Sequence, residues 1–214
     1  MSSRAIDDQL AVYASLFALL DSKQKDSIAI HVVFDNEEMG STTNQGAAST
    51  FLPNVVKKIA LSLNIDDNKY LNMIPNSFAL SIDNAHGIHP NYTEKYNKEA
   101  KSYLGKGAVI KVAASYAYCT NGNSYSILST LCKKNKVKTQ KYYNRPGVTP
   151  GFTLAKCILP YMSIFGCDVG VPQLAMHSGY ETCGTNDAIE LKKMVQSVYS
   201  ASLTLKKDGN YTIK

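Results

Sequence analysis

Several patterns that would assign a function at once are missing from this sequence of 214 residues. It contains neither GxGxxG nor GxxxxGK[ST], so no phosphate-binding motif supports nucleotide binding. It shows no signal-peptide pattern and no apolar run long enough to span a bilayer, so we expect no membrane partner. The formal net charge is +6, but the lysines lie in scattered pairs rather than one basic block, which predicts that nucleic acid is not a partner.

The cysteines point to a reducing compartment. There are five, an odd number that disfavours a disulfide framework, and none are at the CxxC spacing of thiolate zinc sites. Reduced, mostly buried cysteines are typical of cytosolic proteins, so we expect a cytoplasmic location. With 44% hydrophobic and 19% charged residues, the chain can build one sizeable core, and we predict a single domain over residues 1–214.

Segments typical of strands and of helices alternate along the chain. Strand-like runs cover residues 28–34, 77–83, 108–114 and 167–171. Helix-like patterns cover residues 8–20, a stretch from Ala47 or Pro53 to about 63, residues 122–134, a stretch from 151 to about 165, and one capped by Asn186 that ends near 203. The alternation predicts an α/β fold in which a mostly parallel, twisted sheet is covered by helices on both faces.

Side chains that bind metals follow the predicted strands and open the first helix. Glu37 and Glu38 follow the first strand, Asp83 ends the second, His177 follows the fourth, and Asp7 lies at the helix start. Ligands of open α/β sheets bind at the carboxyl ends of strands, so we expect these side chains to meet there. Oxygen ligands with one imidazole suit zinc or manganese, and two neighbouring metals can activate water for hydrolysis.

The adjacent acids Glu37 and Glu38 are the most informative pair. Two neighbouring carboxylates repel each other, so one stays protonated unless a cation is present. A metal would give them separate roles, because one carboxylate can bind it while the other acts as a base. Ordinary interpretations remain open: a solvated acidic turn for this pair, a helix N-cap for Asp7, a turn residue for Asp83 and a packed side chain for His177.

Five blocks of sequence resemble, in this order, those of one family. They are residues 4–8 (RAIDD), 35–41 (DNEEMGS), 83–92 (DNAHGIHPNY), 106–111 (KGAVIK) and 172–178 (PQLAMHS). They are similar to the aspartyl aminopeptidase and vacuolar aminopeptidase family of dinuclear zinc exopeptidases, and the likeness covers residues 4–203. The resemblance implies a three-layer α/β/α fold of the zinc-exopeptidase type, and an aminopeptidase that releases an acidic N-terminal residue, Asp or Glu, from peptides.

The resemblance also implies a role for each metal-binding residue. Asp7 would bridge two zinc ions, Glu38 and His177 would bind one of them, and Asp83 would bind the other. Glu37 would be the general base that takes a proton from the attacking water.

Further residues are implied to contact the peptide substrate. They are Glu37, Asp83, His86, Lys111 and Tyr118, of which Lys111 would meet the acidic side chain. The family adds a vacuole or lysosome-like compartment as an alternative location.

The sequence departs from the family in two places. The family has a preceding segment with a further metal-binding histidine and an inserted dimerisation domain, and neither is found in this sequence. We therefore expect the zinc at Asp83 to lack its imidazole, and we expect a homo-oligomer if the missing segments are supplied. The alternative function is a catalytically incomplete homologue or fragment that acts as an oligomerisation or binding module. Residues 142–151 keep Gly147, Thr149 and Gly151 but not the family's acid and cysteine, which predicts an altered substrate pocket.

Overall fold

Helices and strands alternate in the computed structural model, which describes residues 1–23, 26–148, 150–206, 208 and 210–214. The helices are α1 (Ile6–Leu20), α2 (Phe51–Ser62), α3 (Asp67–Met73), α4 (Gly122–Lys134), α5 (Leu154–Ile158) and α6 (Thr185–Tyr199). The strands are β1 (Ser2–Ser3), β2 (Phe78–Ile82), β3 (Ala85–His86), β4 (Ala108–Val112), β5 (Thr139–Tyr143), β6 (Phe165–Gly170), β7 (Pro172–Leu174), β8 (Glu181–Cys183), β9 (Leu203–Leu205) and β10 (Tyr211–Ile213). None of the helices described here has both the length and the apolar character needed to cross a membrane.

The central sheet has the strand order β2-β6-β4-β5. The outer pairs β2–β6 and β4–β5 are parallel, and the middle pair β6–β4 is antiparallel. A second, smaller sheet has the order β1-β8-β7-β3. It extends the first, because β2 and β6 run on after short breaks into the parallel pair β3 and β7. The prediction of an α/β fold with a mostly parallel central sheet is confirmed.

The main core lies between this sheet and three helices, α1, α4 and α6. Ala108 and Ile110 of β4 belong to that core, whereas Val109 between them belongs to a second cluster, as the alternation of side chains along a strand requires. On the helical side, the small side chains of Ala14 and Ala18 let α1 pack closely against α6.

The second cluster lies on the opposite side of β4. It joins Val109 to Ala85 at the start of β3 and to the rings of Tyr118 and Tyr142. Helix α5 packs on β2, where the amide of Ala155 donates a hydrogen bond to the hydroxyl of Ser81. These contacts hold the loops that border the candidate site.

The strand predicted over residues 28–34 is wrong. No ladder forms there, and Ile28 and Val33 are 53% and 54% exposed. The segment lies against α1 and α6, since His31 Nε2 is 2.8 Å from Ser15 Oγ and the Tyr199 hydroxyl donates to the carbonyl of Ile30. An apolar, β-branched run indicates burial against a neighbour, but a strand also needs an adjacent strand with free backbone groups.

Other elements also differ from the prediction. No strand is predicted over β5, because its residues are mostly polar and its parallel pairing with β4 is a long-range contact without a local signal. The helix predicted to reach about 165 is only the short α5, and β6 already begins at Phe165. Asn186 lies inside the first turn of α6 and does not cap it, because the N-cap is Gly184. Helix α4 spans 122–134 as predicted, with a capping box between Asn121 and Ser124.

Candidate metal centre

Three predicted ligands meet where α1, the loop after β7 and the turn after residue 36 converge. Nε2 of His177 lies 3.3 Å from Oδ2 of Asp7 and 3.2 Å from Oε2 of Glu38. Ligand atoms of all three side chains lie within 4.8 Å of one another, close enough to share one ion. The structure therefore brings together the residues expected to hold the first zinc ion, although they lie far apart in sequence.

Asp7 enters this group because α1 starts irregularly. Asp7 and Asp8 have non-helical backbone angles, and the peptide bond between them is cis. The side chain of Asp7 is 3% exposed and makes no capping hydrogen bond; its backbone amide instead donates to Oε2 of Glu181 at 2.9 Å. The N-cap interpretation of Asp7 is thus wrong, and its carboxylate remains available as a ligand.

Glu37 and Glu38 lie in a single 3-10 turn, Glu37–Met39, between two residues in the left-handed region. Asn36 has φ 62° and Gly40 has φ 92°, and both residue types tolerate this conformation well. The Thr43 hydroxyl donates to the side-chain carbonyl of Asn36 at 2.9 Å and supports the turn. The tight turn brings both acids to the same cluster while the chain reverses into the next loop.

A second group of acids adjoins the first and shares Asp7 with it. Carboxylate oxygens of Asp7, Asp8 and Asp83 lie within 4.8 Å of one another. Among the residues that the structure describes, no imidazole joins this second group. Sequence reasoning missed Asp8, and its only signal was its position directly after Asp7.

Charge repulsion and burial strongly perturb these acids. The pKa of Asp7 is raised to about 7, first by burial and then by the negative charges of Asp83 and Glu38. Burial and the same two charges raise the pKa of Glu37 to about 7. The pKa of Asp8 is raised well above its ordinary value, chiefly by burial. Without a cation, these carboxyl groups therefore retain their protons to a higher pH than ordinary carboxyl groups do.

A metal ion fits this arrangement. Oδ1 of Asp7 and Oδ1 of Asp8 are both buried without a hydrogen-bond partner, an unfavourable state that cation coordination would relieve. Two carboxylates and one imidazole form a donor set that zinc accepts, with room for a further ligand. The all-carboxylate group around Asp83 offers only hard oxygen ligands.

Lys111 lies beneath the acids and not at an open surface. Its ammonium Nζ is 2.8 Å from Oδ2 of Asp83, and its side chain is 3% exposed. Burial alone would lower the pKa of Lys111, but the carboxylate of Asp83 outweighs it and holds the pKa above the ordinary value. The ring centroid of Tyr118 is 5.5 Å from the same ammonium group. Two of the predicted substrate residues therefore contact each other, next to a predicted metal ligand.

His86 borders a cavity of about 160 Å³ beside this cluster. Desolvation lowers the pKa of His86, and the positive charges of Lys111 and His177 lower it further. The cavity also has two cationic side chains in its lining, Lys95 and Arg145. Arg145 belongs to the loop in which the sequence departs from the family; Thr149 of that loop lies outside the described residues.

A buried acid that sequence reasoning missed holds the loops around Tyr118. Asp168 of β6 is fully buried and accepts hydrogen bonds from the hydroxyl of Thr153 and the amide of Cys119. Its own amide donates to the hydroxyl of Thr120 at 2.9 Å. The loop after β4 and the loop before α5 are thereby tied to the central sheet.

Comparison with known proteins relates this chain to a family of zinc metalloproteases. A family model described as aminopeptidase I zinc metalloprotease (M18) matches residues 1–199. The probable M18 family aminopeptidase 2 of Clostridium novyi is 39% identical over 200 residues, which cover 94% of this chain and 46% of that protein. The protein of the same description from Borreliella burgdorferi is 34% identical over 204 residues, or 95% of this chain and 48% of that protein. The chain thus spans about half the length of the curated relatives it matches.

Solved structures agree with this result. The crystal structure of aminopeptidase I from Clostridium acetobutylicum superposes with a TM-score of 0.80 and 26% identity, covering 92% of this chain and 44% of that one. The S. cerevisiae mApe1 dodecamer superposes with a TM-score of 0.79 and 25% identity, covering 92% and 45%.

Proposed function

The chain belongs to the M18 family of zinc aminopeptidases, and on that premise we propose that it forms the catalytic part of an enzyme that releases an acidic N-terminal residue from peptides. The observation that carries the proposal is the convergence of Asp7, Glu38 and His177, with Glu37 beside them as an additional carboxylate. Zinc bound there would polarise the scissile carbonyl and lower the pKa of a nearby water. This chemistry requires a base that does not itself bind the metal.

Glu37 is suited to be that base. It lies next to the ligand Glu38 in the same turn, and it is absent from the group of side chains that could share the first ion, so its carboxylate stays free to accept and return a proton. In the proposed reaction, Glu37 takes the proton from the attacking water and delivers it to the nitrogen of the leaving peptide. Positioned proton transfer of this kind contributes roughly 10²–10⁴-fold to a rate.

Charge around the site supports the proposed substrate. The free amino terminus of a peptide is cationic, and the acidic cluster, including Asp83 and Glu37, would attract it. An acidic side chain needs a cation, and two sources lie nearby: Lys111 below the cluster, and the cavity that Arg145 and His86 border. We assign the selection of acidic residues to Lys111, with Arg145 as the competing candidate.

Assembly and location are also proposals. A homo-oligomer is supported by the dodecamer formed by the related mApe1, a property of that protein. A cytoplasmic location is supported by the cysteines, since all five are free thiols.

A binding module without catalysis is the second candidate function. The observation in its favour is the group of Asp7, Asp8 and Asp83, which has no imidazole among the described residues and makes a poor zinc site. Under this proposal the chain keeps the fold and at most one metal.

The deciding experiment measures zinc content and hydrolysis of an aspartyl chromogenic amide by this chain. Glu37→Gln should lower the rate by at least about 10²-fold at unchanged zinc content, because only proton transfer is lost. The control is Glu94→Gln, which alters an exposed acid outside the cluster and should leave the rate unchanged. Absence of hydrolysis by the parent chain, with one metal or none bound, would refute the enzyme and favour the binding module.

A further inference from the structure

Glu181 is a buried acid that contacts two metal-binding residues at once, through their backbones. The residue is 2% exposed. Its two carboxylate oxygens accept hydrogen bonds from backbone amides and not from the side chains of the metal-binding residues. Oε2 accepts the amide of Asp7 at 2.9 Å, and Oε1 accepts the amide of His177 at 2.7 Å. One carboxylate therefore links the start of α1 to the loop after β7.

We propose that Glu181 is a positioning residue that sets the separation and orientation of Asp7 and His177 for the first zinc ion. The inference rests on the proposed metal site and deepens it. Buried groups that orient metal ligands typically change metal affinity 10–100-fold when they are removed. Here the orientation acts on the backbone, so that both side chains project toward the same point.

The backbone of His177 needs such support. Its φ is 66°, in the left-handed region that side chains other than glycine occupy only when the surrounding structure holds them there. The hydrogen bond from its amide to Glu181 holds this conformation, and without it the ring would be free to leave Asp7 and Glu38. At the other end, the same carboxylate satisfies the amide of Asp7, where α1 has no side-chain cap.

Glu181 is itself held on a strand that is paired on both sides. It begins β8, which pairs with β1 through Ser3 and with β7 through Thr182 and Cys183. Pairing with β1 and β7 fixes the backbone from which the carboxylate of Glu181 projects, independently of any metal. Preorganisation of this kind is what a precise ligand geometry requires.

Glutamine tests the proposal sharply, because it has nearly the same shape. Glu181→Gln keeps one carbonyl oxygen but turns the other acceptor into an NH₂ group, which would face a backbone N–H donor. One of the two bonds must then break. The matched control is Glu190→Gln: Glu190 is also a nearly buried acid that accepts a backbone amide, from Lys138, but it lies on α6 away from the cluster.

The experiment measures two properties of the whole chain and both variants. Zinc affinity comes from competition with a chromophoric chelator, and metal geometry comes from the visible absorption spectrum after loading with Co²⁺. We expect Glu181→Gln to weaken zinc binding about 10–100-fold and to change the Co²⁺ spectrum, whereas Glu190→Gln changes neither. A changed spectrum separates positioning from simple loss of a negative charge, which would weaken binding without altering the geometry.

Each remaining outcome decides the matter. Parent-like affinity and an unchanged spectrum in Glu181→Gln would overturn the proposal. If that variant does not fold, Glu181→Asp takes its place, because aspartate keeps the charge but is too short to reach both amides. If neither variant folds, Glu181 is needed for folding itself, and the proposal is overturned. A parent chain that binds no zinc overturns both this inference and the proposed function. A parent that binds zinc without hydrolysing the amide refutes only the proposed function.

Discussion

Nζ of Lys111 lies 2.8 Å from Oδ2 of Asp83, in a position where the lysine side chain is almost fully buried. The ammonium group is therefore already paired before a substrate arrives. Two roles for Lys111 follow, which are to select an acidic substrate or to neutralise Asp83, and each predicts a different pattern of kinetics.

We expect Lys111→Met to reduce kcat/KM for an aspartyl amide about ten-fold more than for a leucyl amide, because one charge-assisted contact with the substrate is lost. Methionine preserves the length and apolar stem of the lysine. Steady-state kinetics with both amides provides the measurement. Arg145→Met is the comparison, and if the acidic preference disappears there instead, the cavity cation is the selecting group. Equal losses for both amides in Lys111→Met would leave Lys111 only the role of neutralising Asp83.

The metal-free chain should lose stability as the pH rises from about 4 to 7. The folded-state pKa of Asp7 is about 7 against an ordinary value of 3.8, so over this interval the unfolded chain releases a proton that the folded chain retains. The free energy of unfolding therefore falls through the interval and is constant above it. Urea unfolding of chelator-treated protein at pH 5 and pH 7.5 measures the difference.

Asp7→Asn isolates the contribution of Asp7 to the pH dependence of stability. A variant is needed because the histidines of the chain change stability with pH in the opposite direction. His31 and His86 have lowered pKa values, so they favour the folded state as the pH rises through about 6.5. The fall in stability should be smaller in Asp7→Asn than in the parent. Zinc competes with the retained protons and should stabilise the parent more at pH 7.5 than at pH 5. Equal stabilisation by zinc at both pH values would contradict the assignment.

Gly170→Ala should destabilise the chain by about 1–3 kcal/mol, the usual cost of overpacking. Gly170 ends β6, and a Cβ built on it would overlap the carbonyl oxygen of Asp83, so the backbone that carries this predicted metal ligand would have to move. Urea unfolding measures the change. The control is Gly122→Ala at the start of α4, where an added Cβ meets nothing within 4 Å. Parent-like unfolding of Gly170→Ala would show that the strand end can yield without cost.

The predicted ligands that meet in the candidate metal centre could be proposed from the sequence because their signal is local. Asp83 directly follows β2, His177 lies in the loop after β7, and Glu37 and Glu38 lie before a glycine that ends a tight turn. Glu38 reaches His177 even though the strand predicted before it does not form, since the turn depends on Asn36 and Gly40 and not on that strand.

The residues that were missed act over long distances in the chain. Glu181 and Asp168 are bound to backbone groups and hydroxyls of remote segments, so nothing in their neighbouring sequence distinguishes them from surface acids. Strand β5 is similar, because its place in the sheet is set by pairing with β4 and its own composition is polar and basic. Patterns along the sequence reveal which residues end an element, whereas tertiary contacts decide which distant segments those residues hold together.

Asp7 and His177 come from the first helix and from a loop near the end of the chain. A cation shared by them would close a ring that contains most of the polypeptide, in the way that a covalent cross-link joins remote segments. Metal binding would therefore stabilise the folded chain, since the ligands meet only when the whole ring is folded. For such a chain, removing the metal loosens a link between its two ends.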